Sequence, residues 1–368
     1  AYLERGAIVH GLDLQTEAKA AFLEGFERHI LAPRNLSYRF QFCGPTGTNA
    51  VEAALKLARK ATGRSSVLAF TNGFHGMTLG ALAATGNVHH RSVYEPLLQG
   101  VQHAPFDGYY GPEIDTLALL ERQLSDPSSG LSKPAAVLVE TVQGEGGVRP
   151  ARLSWLQGLA ALCERHDILL IVDDIQAGCG RTGTFFSFEA AGIKPAMVTL
   201  SKSLSGFGLP FALVLVNPDL DVWNPGEHNG SFRGHNLAFV TALAALEAHW
   251  KDDRFAQQVR RKGDYALRRM RGMARQAPEA LSARGRGLYL GLACEGEALA
   301  SEIRAQAFQR GLMVETCGPE DEVVKCLPPL TIDEGDLKRG FDLLEKAVTA
   351  ALAAVPGRSA PPLAAPLL

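Results

Sequence analysis

The 368-residue chain contains no long hydrophobic run. Nothing in it approaches the roughly 20 consecutive apolar residues of a membrane span, and no segment reads as a signal peptide. It has no excess of charge: 37 Lys and Arg against 39 Asp and Glu leave −2. That excludes the basic field expected of a nucleic-acid or anionic-lipid binder. The short basic cluster at Arg260–Lys262, Arg268, Arg269 and Arg271 reads as a solvated helix face. Six cysteines (Cys43, Cys163, Cys179, Cys294, Cys317, Cys326) are scattered, with no CxxC and no His/Cys ligand spacing. Neither a metal site nor a disulfide framework is expected, and a reducing cytoplasm fits that usage. No internal repeat is visible. The chain opens at Ala1, without methionine and inside what reads as a helix, so a fragment of a longer chain is expected.

What is present is a core-forming composition, 46% hydrophobic, long enough for more than one domain. Short runs rich in Val, Ile and Leu predict strands at Val67–Phe70, Ala136–Val139, Ile168–Val172, Met197–Leu200, Ala212–Val216, Leu288–Ala293 and Val323–Leu327. Helical patterns lie between the first five, with Val51, Leu55 and Ala58 on one face and Leu156, Leu159, Ala160 and Cys163 on another. Alternating β and α elements predict an α/β fold, a mostly parallel central sheet with helices on both faces. From Asn236 to Met273 the pattern predicts one long helix. Residues from about 278 onward read as a smaller α+β domain, with the Arg284–Gly291 stretch opening a strand. The expected division is 1–30 as an N-terminal remnant, 31–275 as the large domain, 276–355 as the small one, and 356–368 as a proline-rich loose tail.

Two segments carry most of the chemistry. LLIVDDIQAGCGRTG (169–183) ends an apolar run in two carboxylates, and VTLSKSLSG (198–206) ends one in a lysine. The spacing from Asp173 to Lys202 lets two neighbouring strands end at the same edge of a sheet, where ligands bind in open α/β folds. A carboxylate facing a ring nitrogen and a lysine facing an aldehyde are what pyridoxal phosphate requires. Read alone, Asp173 is equally a loop acid and Lys202 a surface residue. Asp174 is expected to face away, and partial burial of Lys202 would lower its pKa. Gln176 is placed to donate to a phenolic oxygen or to stand as a surface amide. Arg181 is expected to tie down its loop.

Three further segments accompany them. FCGPTGTNAVEAALKLARK (42–60) is a glycine-rich turn feeding a helix. The Gly47, Thr48 and Asn49 amides and the Thr46 and Thr48 hydroxyls suit a phosphate at a helix N-terminus, although an ordinary Thr cap explains them equally well. No Lys-Ser/Thr follows the glycine, so this is not a P-loop. In TNGFHGMT (71–78), Phe74 and His75 follow a strand, and the Phe74 ring suits stacking on a flat cofactor or a place in the core. VETVQGEGG (139–147) puts Glu140 and Glu145 beyond another strand. One of them suits a substrate ammonium or a basic gate, and two solvated glutamates are the plainer reading.

Together these segments resemble the class III (ω-) aminotransferases of PLP fold type I, across most of the chain. HGLD (10–13), FTNGFHGMTLGALAATGN, HNGSFRGHNLAF and EDEVVKCLPPLTI are similar to the diaminobutyrate–2-oxoglutarate branch, which serves ectoine and related biosynthesis. The resemblance implies pyridoxal 5′-phosphate as cofactor and a homodimer with a shared active site, in which dimers can pair into tetramers. It implies that Lys202 carries the cofactor, Asp173 pairs with the ring nitrogen, and Gln176 reaches the phenolic oxygen. Phe74 stacks on the ring, His75 lies in the same cradle, and Thr46, Gly47 and Thr48 hold the phosphate. Ser231 stands where the family usually has a threonine that reaches the neighbouring subunit's phosphate.

For substrate the resemblance implies Glu145 and Lys325. Glu145 matches the glutamate that pairs with a gating arginine, and Lys325 stands where that arginine is expected. Lysine cannot make the planar bidentate pair. The implied reaction moves the terminal amine of an ω-amino acid to 2-oxoglutarate. The family's preceding Gly-rich segment, which contributes to the substrate pocket, is expected to be missing. Alternatives are another ω-aminotransferase (ornithine, acetylornithine or 4-aminobutyrate), a PLP aminomutase, and a non-catalytic relative of the fold.

Overall fold

The computed structural model describes residues 1–354; the expected tail at 356–368 lies outside them. The described residues form two compact units. The first comprises 1–141 and 151–257, the second 142–150 and the residues from 258 onward. The division therefore falls at 257/258 instead of the expected 275/276, and residues 1–30 belong to the first unit instead of standing apart.

The first unit is built on a seven-stranded sheet in the order Arg39–Phe42, Leu213–Val216, Met197–Leu200, Leu169–Asp173, Ala136–Val139, Val67–Phe70, Val101–Ala104. Only Leu213–Val216 runs against the rest. Alternation along the strands divides their side chains between two cores. Leu68, Phe70, Val137, Val139, Leu170, Val172, Val198 and Leu200 face a cluster rich in phenylalanine, including Phe22, Phe26, Phe211 and Phe239. Val67, Ala69, Ala136, Leu138, Ile171 and Met197 face the Gly47–Thr62 helix through Val51, Leu55 and Ala58. Helices thus cover both faces, which is why the central strands read as continuous apolar runs.

The second unit holds a four-stranded antiparallel sheet, in the order Leu281–Arg286, Tyr289–Cys294, Val323–Cys326, Glu315–Cys317. It also holds the helices Glu297–Gln309 and Glu334–Ala354. Residues 142–150 join it as a small hairpin, Val142–Gln143 paired with Arg149–Pro150.

Several expectations are corrected. The Asn236–Met273 pattern is two helices, Asn236–His249 and Arg254–Ala274. Between them Asp252 Oδ1 accepts the Arg254 amide at 2.9 Å, and this local bond restarts the backbone. The RGRGLYLG stretch does open a strand, Tyr289–Cys294, and it also ends the preceding one, Arg286 pairing with Tyr289 across the turn. The first helix begins at Glu17, so the chain does not open inside one. The basic cluster is not simply solvated: Lys262 is buried, its Nζ donating to Leu330 O, and Arg269 pairs with Asp342 and Glu345.

Candidate functional site

The carboxyl ends of four neighbouring parallel strands carry the candidate residues of the first unit. Asp173 closes the Leu169–Asp173 strand and is paired in register with Thr199, three residues before Lys202. The sheet therefore brings the carboxylate and the lysine to one edge. Beyond Val67–Phe70 come Phe74 and His75, and beyond Ala136–Val139 comes Glu140.

Asp173 is 4% exposed, so its charge has to be matched by donors. His75 Nδ1 donates to Oδ2 at 2.7 Å, while Oδ1 accepts from Thr199 Oγ1 at 3.1 Å and the Ile175 amide at 3.2 Å. Burial by itself would lower the His75 pKa. The Asp173 hydrogen bond and charge, with Glu140 behind them, outweigh it and hold the ring above its ordinary value. His75 Nε2 is buried with no hydrogen-bond partner among the described residues. Thr85 Oγ1 accepts the His75 amide at 3.0 Å, and Glu140 Oε1 accepts the Phe74 amide at 2.9 Å, so Glu140 is an anchor of this turn and not a solvated acid. The Phe74 ring is half-buried and meets His90 edge-on.

The 71–78 turn closes on the N-terminus of the Gly47–Thr62 helix. Gly76 has φ +129°, and a Cβ there would lie 2.3 Å from Thr48 Oγ1, so only glycine fits. Thr48 Oγ1 is 2.7 Å from Thr78 Oγ1. Thr46 occupies the cap position, yet its side chain bonds no helix amide and donates instead to Asn49 Oδ1 at 2.8 Å. The ordinary Thr-cap explanation therefore fails here. The first amides of a helix have no intrahelical acceptor, so Gly47 and Thr48 present theirs in an arrangement suited to a phosphate, while the Thr46 and Thr48 hydroxyls are engaged with Asn49 and Thr78.

Lys202 is exposed, and its backbone lies in the left-handed region at φ +47°. Partial burial of Lys202 does not hold: it heads the single turn Lys202–Ser205 beyond its strand with its side chain exposed, while Leu204 and Ser205 of that turn are buried. A non-glycine residue held in this conformation is the kind of strain found at functional positions. Ser201 fixes the turn by donating to Phe211 O at 2.8 Å. Gln176 is half-buried two residues beyond the Asp174–Asp173 corner. Asp174 faces away as expected, but it is buried and accepts the Ser187 amide at 2.9 Å. Ser231 is exposed, in a segment fastened by Lys60–Glu227, Lys56–His228 and Asn229–Asp13 contacts.

Within the second unit, Glu145 and Lys325 meet. Lys325 is 5% exposed, and its Nζ donates to Glu145 Oε1 at 2.7 Å and lies 3.5 Å from Glu315 Oε2. Burial works to lower the Lys325 pKa, but the Glu145 charge and hydrogen bond reverse this and raise it. The turn bearing Glu145 is anchored by its backbone. Gly318 N donates to Glu145 O at 2.8 Å, and Arg284 Nε donates to Gly147 O at 2.9 Å. Gly291 permits the approach, since a Cβ there would lie 2.9 Å from Val148 Cβ.

Three contributors were not foreseen: Thr199, Thr85 and Glu315. Thr199 leaves a trace in the sequence as a hydroxyl inside an otherwise apolar strand, and the register with Asp173 gives it a use. Thr85 and Glu315 leave none.

The first unit thus carries a strained lysine and a buried carboxylate at one sheet edge, together with a helix N-terminus whose first amides are open. A model of the class-III aminotransferases matches residues 28–348, and the chain belongs to that family. It is 58% identical over 353 residues, 95% of this chain and 81% of the relative, to a diaminobutyrate–2-oxoglutarate transaminase of Bordetella parapertussis. It is 58% identical over 346 residues to one of Vibrio cholerae, covering 94% and 84%. The ornithine aminotransferase of Toxoplasma gondii, a solved structure described as having partial occupancy of PLP at its active site, superposes with a TM-score of 0.82 at 26% identity, covering 95% and 80%.

Proposed function

We propose that this chain transfers the terminal amine of L-2,4-diaminobutyrate to 2-oxoglutarate, giving L-aspartate 4-semialdehyde and L-glutamate in a reversible, two-stage exchange. The observation that carries this reading is the 58% identity, over 95% of the chain, to a transaminase of that name. The cofactor is pyridoxal 5′-phosphate. When bound, it supplies a carbonyl for the amine and an electron-withdrawing ring that stabilises charge at the substrate carbon.

The chain's own residues take the following parts. Lys202 would hold the cofactor, and its Nζ, once freed, would be the base that carries a proton between the two carbons flanking the transferred nitrogen. Asp173 would face the ring nitrogen, held in place by hydrogen bonds from His75, Thr199 and the Ile175 amide. Gln176 donates to the phenolic oxygen. Phe74 covers the ring face, with His75 behind it. Thr46, Gly47 and Thr48 bind the phosphate, and Ser231 reaches the phosphate of a second copy, so the working form is a homodimer. Glu145 and Lys325 are assigned to substrate binding. The exposed position of Ser231 supports the role in a dimer. We place the enzyme in the cytoplasm, in keeping with six cysteines that are all free and buried.

A panel of amino donors against 2-oxoglutarate tests the substrate. Diaminobutyrate is expected to give the highest kcat/KM, with parallel-line kinetics. A higher kcat/KM for ornithine, acetylornithine or 4-aminobutyrate would reassign it, and turnover of the donor without any keto acid would point to an aminomutase.

A further inference from the structure

Within the second unit, the helices Arg254–Ala274 and Glu334–Ala354 border a cavity of about 330 Å³. Its lining holds four cations, Arg261, Lys262, Arg268 and Lys338, and a single carboxylate, Glu334. Glu334 is already paired with Arg261. The acids beside it are also engaged: Asp336 pairs with Arg339 at 2.7 Å, and Asp333 Oδ1 accepts the Asp336 amide at 2.8 Å. Asp342 and Glu345 are taken by Arg269. Lys262, Arg268 and Lys338 therefore have no carboxylate partner among the described residues. Lys262 is the anomaly. It is 8% exposed, and its Nζ donates only to Leu330 O, at 3.3 Å. An ammonium has three donors, and burying a charge without an opposite charge is costly. An apolar residue of similar size would serve packing better at this position.

We propose that this cavity binds a diphosphate group, carried by free pyrophosphate or by a nucleotide. The lining has an excess of three positive charges, which a multiply charged anion matches and a single carboxylate does not. Lys262 is the inner cation, and the anion supplies the opposite charge it lacks. Arg268 and Lys338 are exposed and hold the outer oxygens, the Arg268 guanidinium offering a fork to two of them. The volume lies at the lower end of small-molecule sites, about 300–1,000 Å³, which suits a ligand of this size. Bound between the two helices, the anion stabilises the second unit. The inference is independent of which amino donor the enzyme uses.

The test is calorimetry on the full chain loaded with pyridoxal phosphate, so that the Gly47–Thr48 helix terminus is not free to take the probe. Pyrophosphate, ADP and inorganic phosphate are titrated into wild type, Lys262→Met and the double variant Arg268→Gln, Lys338→Gln. Wild type is expected to bind one pyrophosphate per chain, more tightly than inorganic phosphate and more weakly as salt is raised. Lys262→Met is expected to raise the Kd about tenfold or more, the equivalent of one charge-assisted contact. The double variant is expected to raise it about two- to fivefold per exposed charge. Without ligand, Lys262→Met should melt at the wild-type temperature or above it, because a buried unpaired charge has been removed. Tighter binding of ADP than of pyrophosphate assigns the group to a nucleotide, and the reverse order assigns it to free pyrophosphate. No saturable binding in wild type, equal affinity for phosphate and pyrophosphate, or a Kd unmoved by Lys262→Met overturns the proposal. A lower melting temperature in unliganded Lys262→Met makes that lysine structural, and an unchanged Kd in the double variant then overturns the proposal as well.

Discussion

His75 Nδ1 lies 2.7 Å from Asp173 Oδ2, both side chains buried at the carboxyl edge of the parallel sheet. The aromatic turn after one strand thus supplies the donor that holds the carboxylate at the end of another. His75→Gln keeps a donor but removes the imidazole. It is expected to weaken cofactor retention by about tenfold, the equivalent of about 1.4 kcal/mol for a charge-assisted bond. Equilibrium dialysis at pH 7 measures it. The His75 pKa is raised in the folded protein. Its stabilising contribution is therefore complete below the unfolded value near 6.5 and is lost as pH rises through the folded value. Wild type should show this alkaline loss in its unfolding midpoint, and the variant should not.

Thr199→Val is nearly isosteric and removes one of the three donors to Asp173. A buried carboxylate that loses a hydrogen bond costs about 1–2 kcal/mol. Denaturant unfolding should show that loss with an unchanged slope, and cofactor affinity should fall with it.

Gly76→Ala places a methyl group against Thr48 in a backbone region that alanine avoids. The turn must move away from the Gly47–Thr62 helix. The expected cost is about 1–3 kcal/mol of stability for the strained backbone, together with a raised Kd for pyridoxal phosphate and for free phosphate, measured by calorimetry.

His228 links pH to the segment carrying Ser231. Burial, then the Arg233 and Lys56 charges, push its pKa down to about 4. The unfolded imidazole takes up protons near 6.5. Stability from this group is therefore full above 6.5 and is lost as pH falls from there toward 4. Comparing Tm against pH for wild type and His228→Gln isolates it, the wild-type curve falling more steeply over that interval.

The sequence revealed the interior of the molecule better than its edges. Val67–Phe70, Ala136–Val139 and Met197–Leu200 were predicted to the residue because both faces of those strands are buried, which leaves an unbroken apolar run. Arg39–Phe42, Val101–Ala104, Leu281–Arg286 and Glu315–Cys317 carry no such run because they are edge strands, partly exposed and mixed in character. Asp173 and Lys202 were legible from strand-end spacing. What they lean on was not: the His75 bond spans 98 positions and the Glu145–Lys325 pair 180, contacts that only tertiary folding creates. The 142–150 hairpin belongs to the second unit against its place in the chain. No local pattern marks such a crossing.

The most direct test of the account is where the cofactor attaches. The full chain, loaded with pyridoxal 5′-phosphate, is reduced with borohydride, digested and mapped by mass spectrometry. The account requires the phosphopyridoxyl group on Lys202, with loss of both the label and turnover in Lys202→Ala. Label on another lysine, or transamination that persists in Lys202→Ala, would contradict it.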